Sequence, residues 1–187
     1  MNPTMMSAAA RLEIILGPMF SGKSTEMLRR IRRYKQAGQK CGVVKYDKDT
    51  RYSIEDFATH DGSTHPAIPC SNNLSSVRER VSQYSVIGID EGQFFTDIVS
   101  FVIDMLSLGK IVIIAALDGD YKQESFGSVL QLIPKCDSVV KLNAVCTLCQ
   151  KDASFTCRKT QEDTLEVIGG DDKYMALCRQ CWIESSS

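Results

Sequence analysis

One stretch near the amino end combines glycine, lysine and serine at the spacing of a phosphate-binding loop. Residues 17–24 fit the pattern Gly-x-x-x-x-Gly-Lys-Ser/Thr. In such a loop the backbone N–H groups surround a polyphosphate, the lysine reaches the β- and γ-phosphates, and the final hydroxyl binds Mg²⁺. The sequence therefore predicts that the protein binds a nucleoside triphosphate. The predicted loop consists of Gly17, Pro18, Met19, Phe20, Ser21, Gly22, Lys23 and Ser24.

The segments on both sides of this loop have the patterns of the elements that must position it. An apolar run precedes the loop and predicts a buried strand, formed by Leu12, Ile14, Ile15 and Leu16. Apolar residues then recur at helical spacing as far as Gly38, at Met27, Leu28, Ile31 and Tyr34. A strand, a glycine-rich turn and a helix direct N–H groups and the positive end of the helix at one point, which suits polyphosphate. The helix also carries basic residues, which form either a solvated face or part of the field around the phosphates: Arg29, Arg30, Arg32, Arg33 and Lys35.

A second apolar strand ends in two acidic residues. Residues 86–91 are Val-Ile-Gly-Ile-Asp-Glu, and proteins with a phosphate-binding loop place an aspartate near Mg²⁺ in this way. We therefore expect Asp90 to lie near the metal. We expect Glu91 to be a general base beside the γ-phosphate, where a hydroxyl group or water attacks. The alternative is a pair of solvated acids at a strand end. Phe94 follows so closely that it either belongs to the core or lines the pocket of the acceptor.

A polar segment, 47–61, leaves the carboxyl end of another predicted strand, which is where ligands bind in open α/β sheets. Asp49 and Arg51 in this segment are either contacts for the nucleotide or parts of a plain surface loop. His60 and His65 lie nearby without a cysteine or an acidic cluster to complete a metal site. We expect these two histidines to make loop hydrogen bonds.

Strands and helical stretches alternate along most of the chain. Apolar runs predict further strands at 41–46, 111–117 and 139–142. Helical spacing predicts two further helices, one over 74–81 that Ser71 or Asn72 begins and one over 98–108 that Gly109 ends. This alternation favours an α/β fold with a mainly parallel sheet and helices on both faces.

Four of the eight cysteines form two Cys-x-x-Cys pairs. Cys146 and Cys149 make the first pair, Cys178 and Cys181 make the second, and residues 150–177 lie between them. Four thiolates at this spacing predict a structural Zn²⁺, because a tetrahedral ion with four protein ligands has no open position for chemistry. Two structural disulfides are the alternative, which a reducing compartment disfavours.

The residues between the two cysteine pairs predict a small β-hairpin. Strand-like runs lie at 155–158 and 164–168, and so small a segment needs the metal because it lacks enough core of its own. The remaining cysteines have no such spacing and are expected to be buried or free thiols: Cys41, Cys70, Cys136 and Cys157. The predicted organisation is a disordered tail (1–10), an α/β domain (11–143), a zinc-binding domain (144–183) and a short tail (184–187).

The composition describes an ordinary globular protein. The chain has 187 residues, of which 43% are hydrophobic and 24% charged, enough for one full core and an appendage. The formal net charge of −1 argues against a protein that coats nucleic acid. No apolar stretch is long enough to span a bilayer, and residues 1–10 lack the apolar core of a signal peptide. We therefore expect a cytoplasmic protein with neither nucleic acid nor membrane as a partner.

Several motifs together resemble the type II thymidine kinases, over a span from about Leu12 to Trp182. They are residues 17–24, Lys-Tyr-Asp-Lys-Asp-Thr-Arg-Tyr at 45–52, Ile-Asp-Glu-Gly-Gln-Phe-Phe at 89–95, Ala-Leu-Asp-Gly at 116–119, Glu-Val-Ile-Gly-Gly at 166–170, and the two cysteine pairs. The resemblance implies transfer of the γ-phosphoryl group of ATP to the 5′-hydroxyl of thymidine. It also implies a P-loop domain, a small zinc-bearing lasso that closes over the nucleoside, a homotetramer, and thymidine triphosphate as a feedback inhibitor.

The resemblance also implies roles for individual residues. Glu91 accepts the proton of the sugar hydroxyl, and Ser24 and Asp90 hold magnesium. The residues that flank the phosphates are Asp49, Thr50, Arg51, Asp90, Gly92 and Gln93. Those that surround the thymine ring and sugar are Met19, Phe94, Leu117, Tyr121 and Phe126. The lasso grips the base largely through backbone groups, with Thr156, Leu165, Glu166, Val167, Ile168, Gly169 and Tyr174. Two positions depart from the family: Tyr121 stands where phenylalanine is frequent, and Leu165 where valine is common.

Two other functions are compatible with a phosphate-binding loop. One is an ATPase whose zinc ribbon grips nucleic acid and whose Glu91 activates water. The acidic residues between the cysteine pairs disfavour it, namely Glu162, Asp163, Glu166, Asp171 and Asp172. The other is a GTP-dependent switch without enzymatic activity. Its guanine-reading motif, Asn/Thr-Lys-x-Asp, lies late in the domain, whereas the nearest match here is early, at 44–47, and lacks the leading polar residue.

Overall fold

The computed structural model describes residues 10–48, 67–159 and 170–185. These residues form a six-stranded sheet in the order β3-β2-β4-β5-β1-β6, and every neighbouring pair is parallel. The strands are β1 (Arg11–Leu16), β2 (Cys41–Tyr46), β3 (Ala67–Cys70), β4 (Val86–Ile89), β5 (Ile111–Ala116) and β6 (Ser138–Lys141). The predicted α/β class with a parallel sheet is confirmed. The predicted tails at 1–9 and 186–187, and the site residues at 49–51 and 165–169, lie outside the described residues.

Burial explains why the central strands are almost entirely apolar, with Lys45 of β2 as a buried charged exception. Every residue of β2, β4 and β5 is buried, whereas β6 alternates between half-buried and exposed residues at the sheet edge. Strands covered on both faces need continuous apolar runs, and edge strands do not. Because all six strands are parallel, their carboxyl ends lie along one edge of the sheet.

Helices cover both faces, as predicted. The helix α1 (Lys23–Gln36) packs on one face, where a core cluster contains Ile15, Met27, Ile31, Val43, Val86 and Ile113. On the other face lies α3 (Ile98–Ser107), in a larger cluster with Ile14, Ile89, Phe101, Met105 and Ile114. No helix among the described residues is long and apolar enough to cross a membrane.

A charged network fastens α1 to the edge of β1. The carboxylate of Glu13 in β1 accepts hydrogen bonds from Arg11, Arg30 and Tyr34, at 2.8 to 2.9 Å. Burial alone raises the pKa of Glu13, but the hydrogen bonds from these three residues outweigh burial and hold the pKa below its ordinary value. The ionised form of Glu13 therefore stabilises the folded state.

The helix predicted over 74–81 begins differently from the prediction. It starts as a 3₁₀ turn, Leu74–Val77, and continues as α2 (Arg78–Ser82). Asn73, and not Ser71 or Asn72, caps it by accepting the N–H of Ser75. The carboxylate of Asp97 also accepts the N–H groups of Leu74 and Ser75. The local sequence does not reveal this cap, because Asp97 arrives from a distant part of the chain.

The strand β3 is missing from the sequence-based prediction. Its four residues, Ala-Ile-Pro-Cys, include Pro69, which has no N–H to donate. Proline is tolerated here because β3 is an edge strand that pairs with β2. Short length and a proline both hide such a strand from pattern analysis.

The residues after 143 build a second, smaller structure. Here β7 (Ala144–Val145) pairs with β8 (Asp152–Ala153), and β9 (Phe155–Arg158) pairs antiparallel with β10 (Tyr174–Leu177), followed by α4 (Arg179–Ser185). The strand predicted at 155–158 is present, and β10 is a partner that the sequence patterns did not predict. The run predicted at 164–168 lies outside the described residues. The division into two domains stays a prediction.

Candidate active site

The loop between β1 and α1 needs its glycines for two reasons. Gly17 has φ 147°, and a Cβ atom there would lie 2.5 Å from the carbonyl oxygen of Leu142. Gly22, directly before α1, has φ 78°, a left-handed conformation that glycine adopts at little cost. These conformations bring the chain from the end of β1 into the first turn of α1. The loop therefore has the strand–turn–helix context that its sequence pattern predicts.

The polar side chains of the loop already have partners. The ammonium group of Lys23 is buried and donates to the carbonyl oxygen of Pro18 at 2.7 Å. The hydroxyl of Ser21 donates to the same oxygen at 2.8 Å. Lys23, the first residue of α1, thus has its side chain folded back onto the loop.

Ser24 and Asp90 meet although 66 positions separate them. The hydroxyl of Ser24 donates to Oδ1 of Asp90 at 2.8 Å. Burial raises the pKa of the Asp90 carboxyl to about 7, and the nearby charge of Glu91 adds to this, against the lowering effects of Ser24 and Lys23. A hydroxyl and a carboxylate are the hard oxygen ligands that Mg²⁺ prefers, and a bound cation favours the ionised carboxylate. The pair fits a magnesium site.

Glu91 lies at the end of β4 in an unusual backbone conformation. Its φ of 53° and ψ of 44° place it in the left-handed region, which is costly for a residue with a side chain and is enriched at functional sites. Its N–H donates to Oδ1 of Asp90 at 3.1 Å. Its carboxylate accepts a hydrogen bond of 2.5 Å from Nε2 of Gln93. The turn therefore holds Glu91 beside the Ser24–Asp90 pair.

Five candidates for the nucleoside pocket come together from separate parts of the chain. Met19, Leu117 and Tyr174 form a buried cluster, and Phe126 packs against it. Phe94 contacts the ring of Phe126 edge-on, with ring centroids 5.5 Å apart. These residues make an apolar and aromatic wall beside the phosphate loop.

The sequence patterns did not single out Tyr46 as part of this aromatic group. Its ring is buried and stacks on Phe94 at 4.5 Å between centroids. Tyr46 is the last residue of β2. Its position at the carboxyl edge of the sheet, where ligands bind in such folds, was the signal that could have identified it as a site residue. It extends the aromatic wall toward β2.

The second, smaller structure after residue 143 contacts the phosphate loop directly. The buried hydroxyl of Thr156 in β9 accepts the N–H of Met19 at 3.0 Å. The guanidinium of Arg158 lies 3.9 Å from the ring centroid of Tyr121 and donates to the hydroxyl of Tyr174 at 3.0 Å. The ring of Tyr121 is thus held by a cation–π contact. Sequence reasoning did not identify Arg158 as a bridging residue.

The four paired cysteines converge on one point. The Sγ atoms of Cys146, Cys149, Cys178 and Cys181 all lie within 4.8 Å of one another, and those of Cys149 and Cys178 are 3.6 Å apart. Zinc–sulfur bonds of about 2.3 Å in a tetrahedron separate neighbouring sulfurs by about 3.8 Å. The spacing and the thiol donor set therefore fit a zinc ion with four protein ligands.

The backbone around this cluster favours thiolates at two positions. Burial raises the pKa of the Cys146 thiol, but backbone N–H groups of Cys178, Cys149 and Leu148 outweigh it and lower the pKa to about 6. Backbone hydrogen bonding from Cys181 likewise lowers the pKa of Cys178. Hydrogen bonds with the thiols of Cys178 and Cys149 instead raise the pKa of Cys181. Burial raises the pKa of the unpaired thiols Cys41, Cys70 and Cys157, as expected for inert structural cysteines.

Comparison with known proteins agrees with this geometry. A family model described as "Thymidine kinase" matches residues 10–182. The chain is 51% identical to the human cytosolic thymidine kinase over 177 residues, 95% of this chain and 75% of that one. It is 50% identical to the thymidine kinase of vaccinia virus (strain Western Reserve) over 174 residues, 93% of this chain and 97% of that one.

A solved structure supports the fold alone. The flagellar accessory protein FlaH of Methanocaldococcus jannaschii superposes with a TM-score of 0.57 over 78% of this chain and 76% of that one, at 19% identity. The family match over nearly the whole chain and two relatives at about 50% identity carry the assignment. The chain therefore belongs to the thymidine kinase family, and within it to the type II enzymes.

Proposed function

We propose that this protein transfers the γ-phosphoryl group of ATP to the 5′-hydroxyl of thymidine, giving thymidine monophosphate and ADP. One observation carries the proposal from the structure. The held carboxylate of Glu91 lies at the same sheet edge as the Ser24–Asp90 pair, beside an apolar wall that includes Met19 and Leu117. A general base between a phosphate site and a flat pocket suits a hydroxyl acceptor that carries a planar base.

The phosphate loop positions the donor. Its N–H groups at the start of α1 bind the phosphates, and Lys23 leaves the carbonyl of Pro18 to bind the β- and γ-phosphates. Asp49, Thr50, Arg51 and Gly92 are proposed to flank them on the resemblance to the family. When bound by Ser24 and Asp90, Mg²⁺ supplies neutralisation of the charge on the phosphates.

Glu91 acts on the acceptor. Its carboxylate accepts the proton of the 5′-hydroxyl as the oxygen attacks the γ-phosphorus, and the bond from phosphorus to the bridging oxygen of ADP breaks. Positioning contributes most of the acceleration in such a reaction, because little covalent chemistry falls to the protein. The left-handed backbone of Glu91 and its contacts to Asp90 and Gln93 support this role.

The small domain completes the nucleoside pocket. Tyr174 comes from β10 and joins Met19, Leu117 and Phe126 in one buried cluster. With the proposed contacts at Phe94, Tyr121, Thr156 and 165–169, this wall encloses the thymine and excludes water, which protects ATP from hydrolysis. The aromatic rings suit the flat face of a pyrimidine.

The cysteine cluster is proposed to hold a structural zinc ion. The four thiols lie before β8 and after β10, and so join both ends of the small domain. When bound, zinc supplies a cross-link in place of a larger apolar core. The ion thus stabilises Tyr174 and Thr156 in position and takes no part in phosphoryl transfer.

We propose three further properties from the similarity to the family: a homotetramer, feedback inhibition by thymidine triphosphate, and a cytosolic location. The names of two mammalian relatives also state that those proteins are cytosolic. Sedimentation equilibrium tests the first property. Steady-state inhibition by added thymidine triphosphate tests the second.

The proposed reaction is tested by measuring ADP release from ATP and Mg²⁺ with thymidine, with other nucleosides and with single-stranded DNA. We expect release that depends on thymidine and matches the thymidine monophosphate formed. Release that ignores nucleosides and rises with DNA would contradict the proposal. It would support the ATPase in which Glu91 activates water.

A further inference from the structure

The side chain of Gln93 connects two parts of the site. It is 4% exposed. Its Nε2 donates to Oε2 of Glu91 at 2.5 Å, and its Oε1 accepts the N–H of Leu117 at 2.9 Å. A backbone N–H can only donate, so the amide oxygen must face Leu117 and the NH₂ group must face Glu91. The two hydrogen-bond partners therefore determine which end of the Gln93 amide faces Leu117 and which end faces Glu91.

Gln93 thus forms a bridge from Glu91 to Leu117. The backbone of the turn that carries Glu91 and Gln93 is closely packed on two sides. A Cβ atom on Gly127 would lie 2.3 Å from the carbonyl oxygen of Gln93, and a Cβ atom on Gly92 would lie 2.8 Å from Cγ2 of Ile114. Both glycines therefore allow close approach to the turn that carries Glu91. A strained residue such as Glu91 keeps its conformation only where the surroundings constrain it this strongly.

The other end of the bridge reaches the pocket wall. Leu117 follows β5 and belongs to the buried cluster with Met19 and Tyr174. The bridge thus runs from the carboxylate of Glu91 to the backbone of a residue that faces the proposed nucleoside. Both ends of the amide are used within the protein, because one N–H of its NH₂ group and its oxygen each have a partner.

We infer that Gln93 is a positioning residue, which holds the carboxylate of Glu91 at a constant position relative to the nucleoside wall by bridging it to Leu117. This inference rests on the proposed function, since it assigns to Gln93 the alignment of the base with the acceptor hydroxyl. The resemblance to the family placed Gln93 among the residues that flank the phosphates. The bridge gives it a different primary role, which acts on catalysis and leaves the binding of ATP unchanged.

The test replaces Gln93 with methionine, which has a similar length and no hydrogen-bonding amide. We expect kcat for thymidine to fall about a hundredfold, since a misplacement near 1 Å has an effect of about that size. We expect the Kd for ATP to stay within about twofold, because the phosphate loop keeps its contacts. The control is Q83M. Gln83 also bridges two partners, Lys40 and Arg80, but it is exposed and lies before β4, at the amino ends of the strands.

A double-mutant cycle separates positioning from a structural effect. If Gln93 acts through Glu91, adding Q93M to E91Q lowers the residual kcat by less than about threefold, because the base is already absent. A full hundredfold loss on both backgrounds overturns the inference. Thermal unfolding is followed for every variant. Should Q93M fail to fold, Q93N serves instead, since its shorter amide cannot reach both partners.

The outcomes distinguish a failure of the proposed function from a failure of the inference about Gln93. Wild-type protein that releases no ADP in response to thymidine overturns the proposed function, and the inference with it. Wild-type protein that is active, with a folded Q93M variant whose kcat lies within about twofold of wild type, overturns the inference alone. A selective loss of kcat with retained ATP binding, absent on the E91Q background, supports it.

Discussion

Replacing Gly127 with alanine would place a methyl group against the turn that carries Glu91. Gly127 has φ +67°, and a Cβ atom there would lie 2.3 Å from the carbonyl oxygen of Gln93 and 3.0 Å from its carbonyl carbon. Ordinary carbon–oxygen contacts begin at about 3.3 Å. These neighbours are backbone atoms and cannot rotate away. The turn must therefore move by about 1 Å for the methyl group to fit.

The substitution has two expected effects, one on stability and one on kcat. A matched substitution at a second glycine, Gly38, separates the two effects. An alanine in the left-handed conformation costs about 1–2 kcal/mol, and this cost falls on stability. Movement of the turn by about 1 Å displaces the Gln93 bridge and Glu91, and lowers kcat about a hundredfold. Gly38 has a similar φ of +80°, but its Cβ atom would meet nothing within 4 Å. G38A therefore has the backbone cost without the displacement.

Steady-state kinetics with thymidine, together with thermal unfolding, distinguishes the two effects. Both variants should unfold at lower temperature, by about 2–4 °C for each kcal/mol at this chain length. Only G127A should lose kcat, with ATP binding retained. Equal kcat values for G127A and G38A would refute the reasoning, because Glu91 would then tolerate movement of its turn.

The remaining predictions concern three other contacts. T156V removes the acceptor for the N–H of Met19 and should raise the KM for thymidine about tenfold. T156S keeps the hydroxyl and should have a KM near that of the wild type. An unchanged KM for T156V would count against this contact. C178S should lose zinc by metal analysis while C136S keeps it, and retained zinc in C178S would disprove the four-thiol site. Because the pKa of Glu13 is held below 4.5, its ionised form stabilises the fold above about that pH and loses this effect as the pH falls through the folded pKa. Wild type should therefore exceed E13Q by about 1–3 kcal/mol in chemical unfolding at pH 7. A gap that stays constant as the pH is lowered through the acid range would contradict this account.

Much of the fold follows from patterns that are local in the chain. The apolar runs at 41–46 and 111–117 predicted buried parallel strands, and both are buried throughout. Such runs are decisive because a strand covered on two faces can carry no solvated side chain. The strand β3 escaped prediction because Pro69 is acceptable only at a sheet edge, and the sequence does not say which strand lies there.

Residues close in sequence also determined the chemistry of the site. Eight consecutive residues specify the phosphate loop, and Asp90 and Glu91 follow one apolar strand. The cysteine pairs predict a metal site because each pair places two thiols on one turn. In all these cases neighbouring residues share a short piece of backbone, whose geometry their types determine.

The tertiary structure alone decided which distant groups meet. The hydroxyl of Ser24 reaches Asp90 across 66 positions, and Thr156 reaches the N–H of Met19 across 137. The bridge from Glu91 through Gln93 to Leu117 likewise depends on β4 and β5 being neighbours in the sheet. Sequence patterns cannot supply these contacts, because hydrogen bonds need positions correct to a few tenths of an ångström. Packing of the whole core sets those positions, whereas local residue types determine the elements that pack.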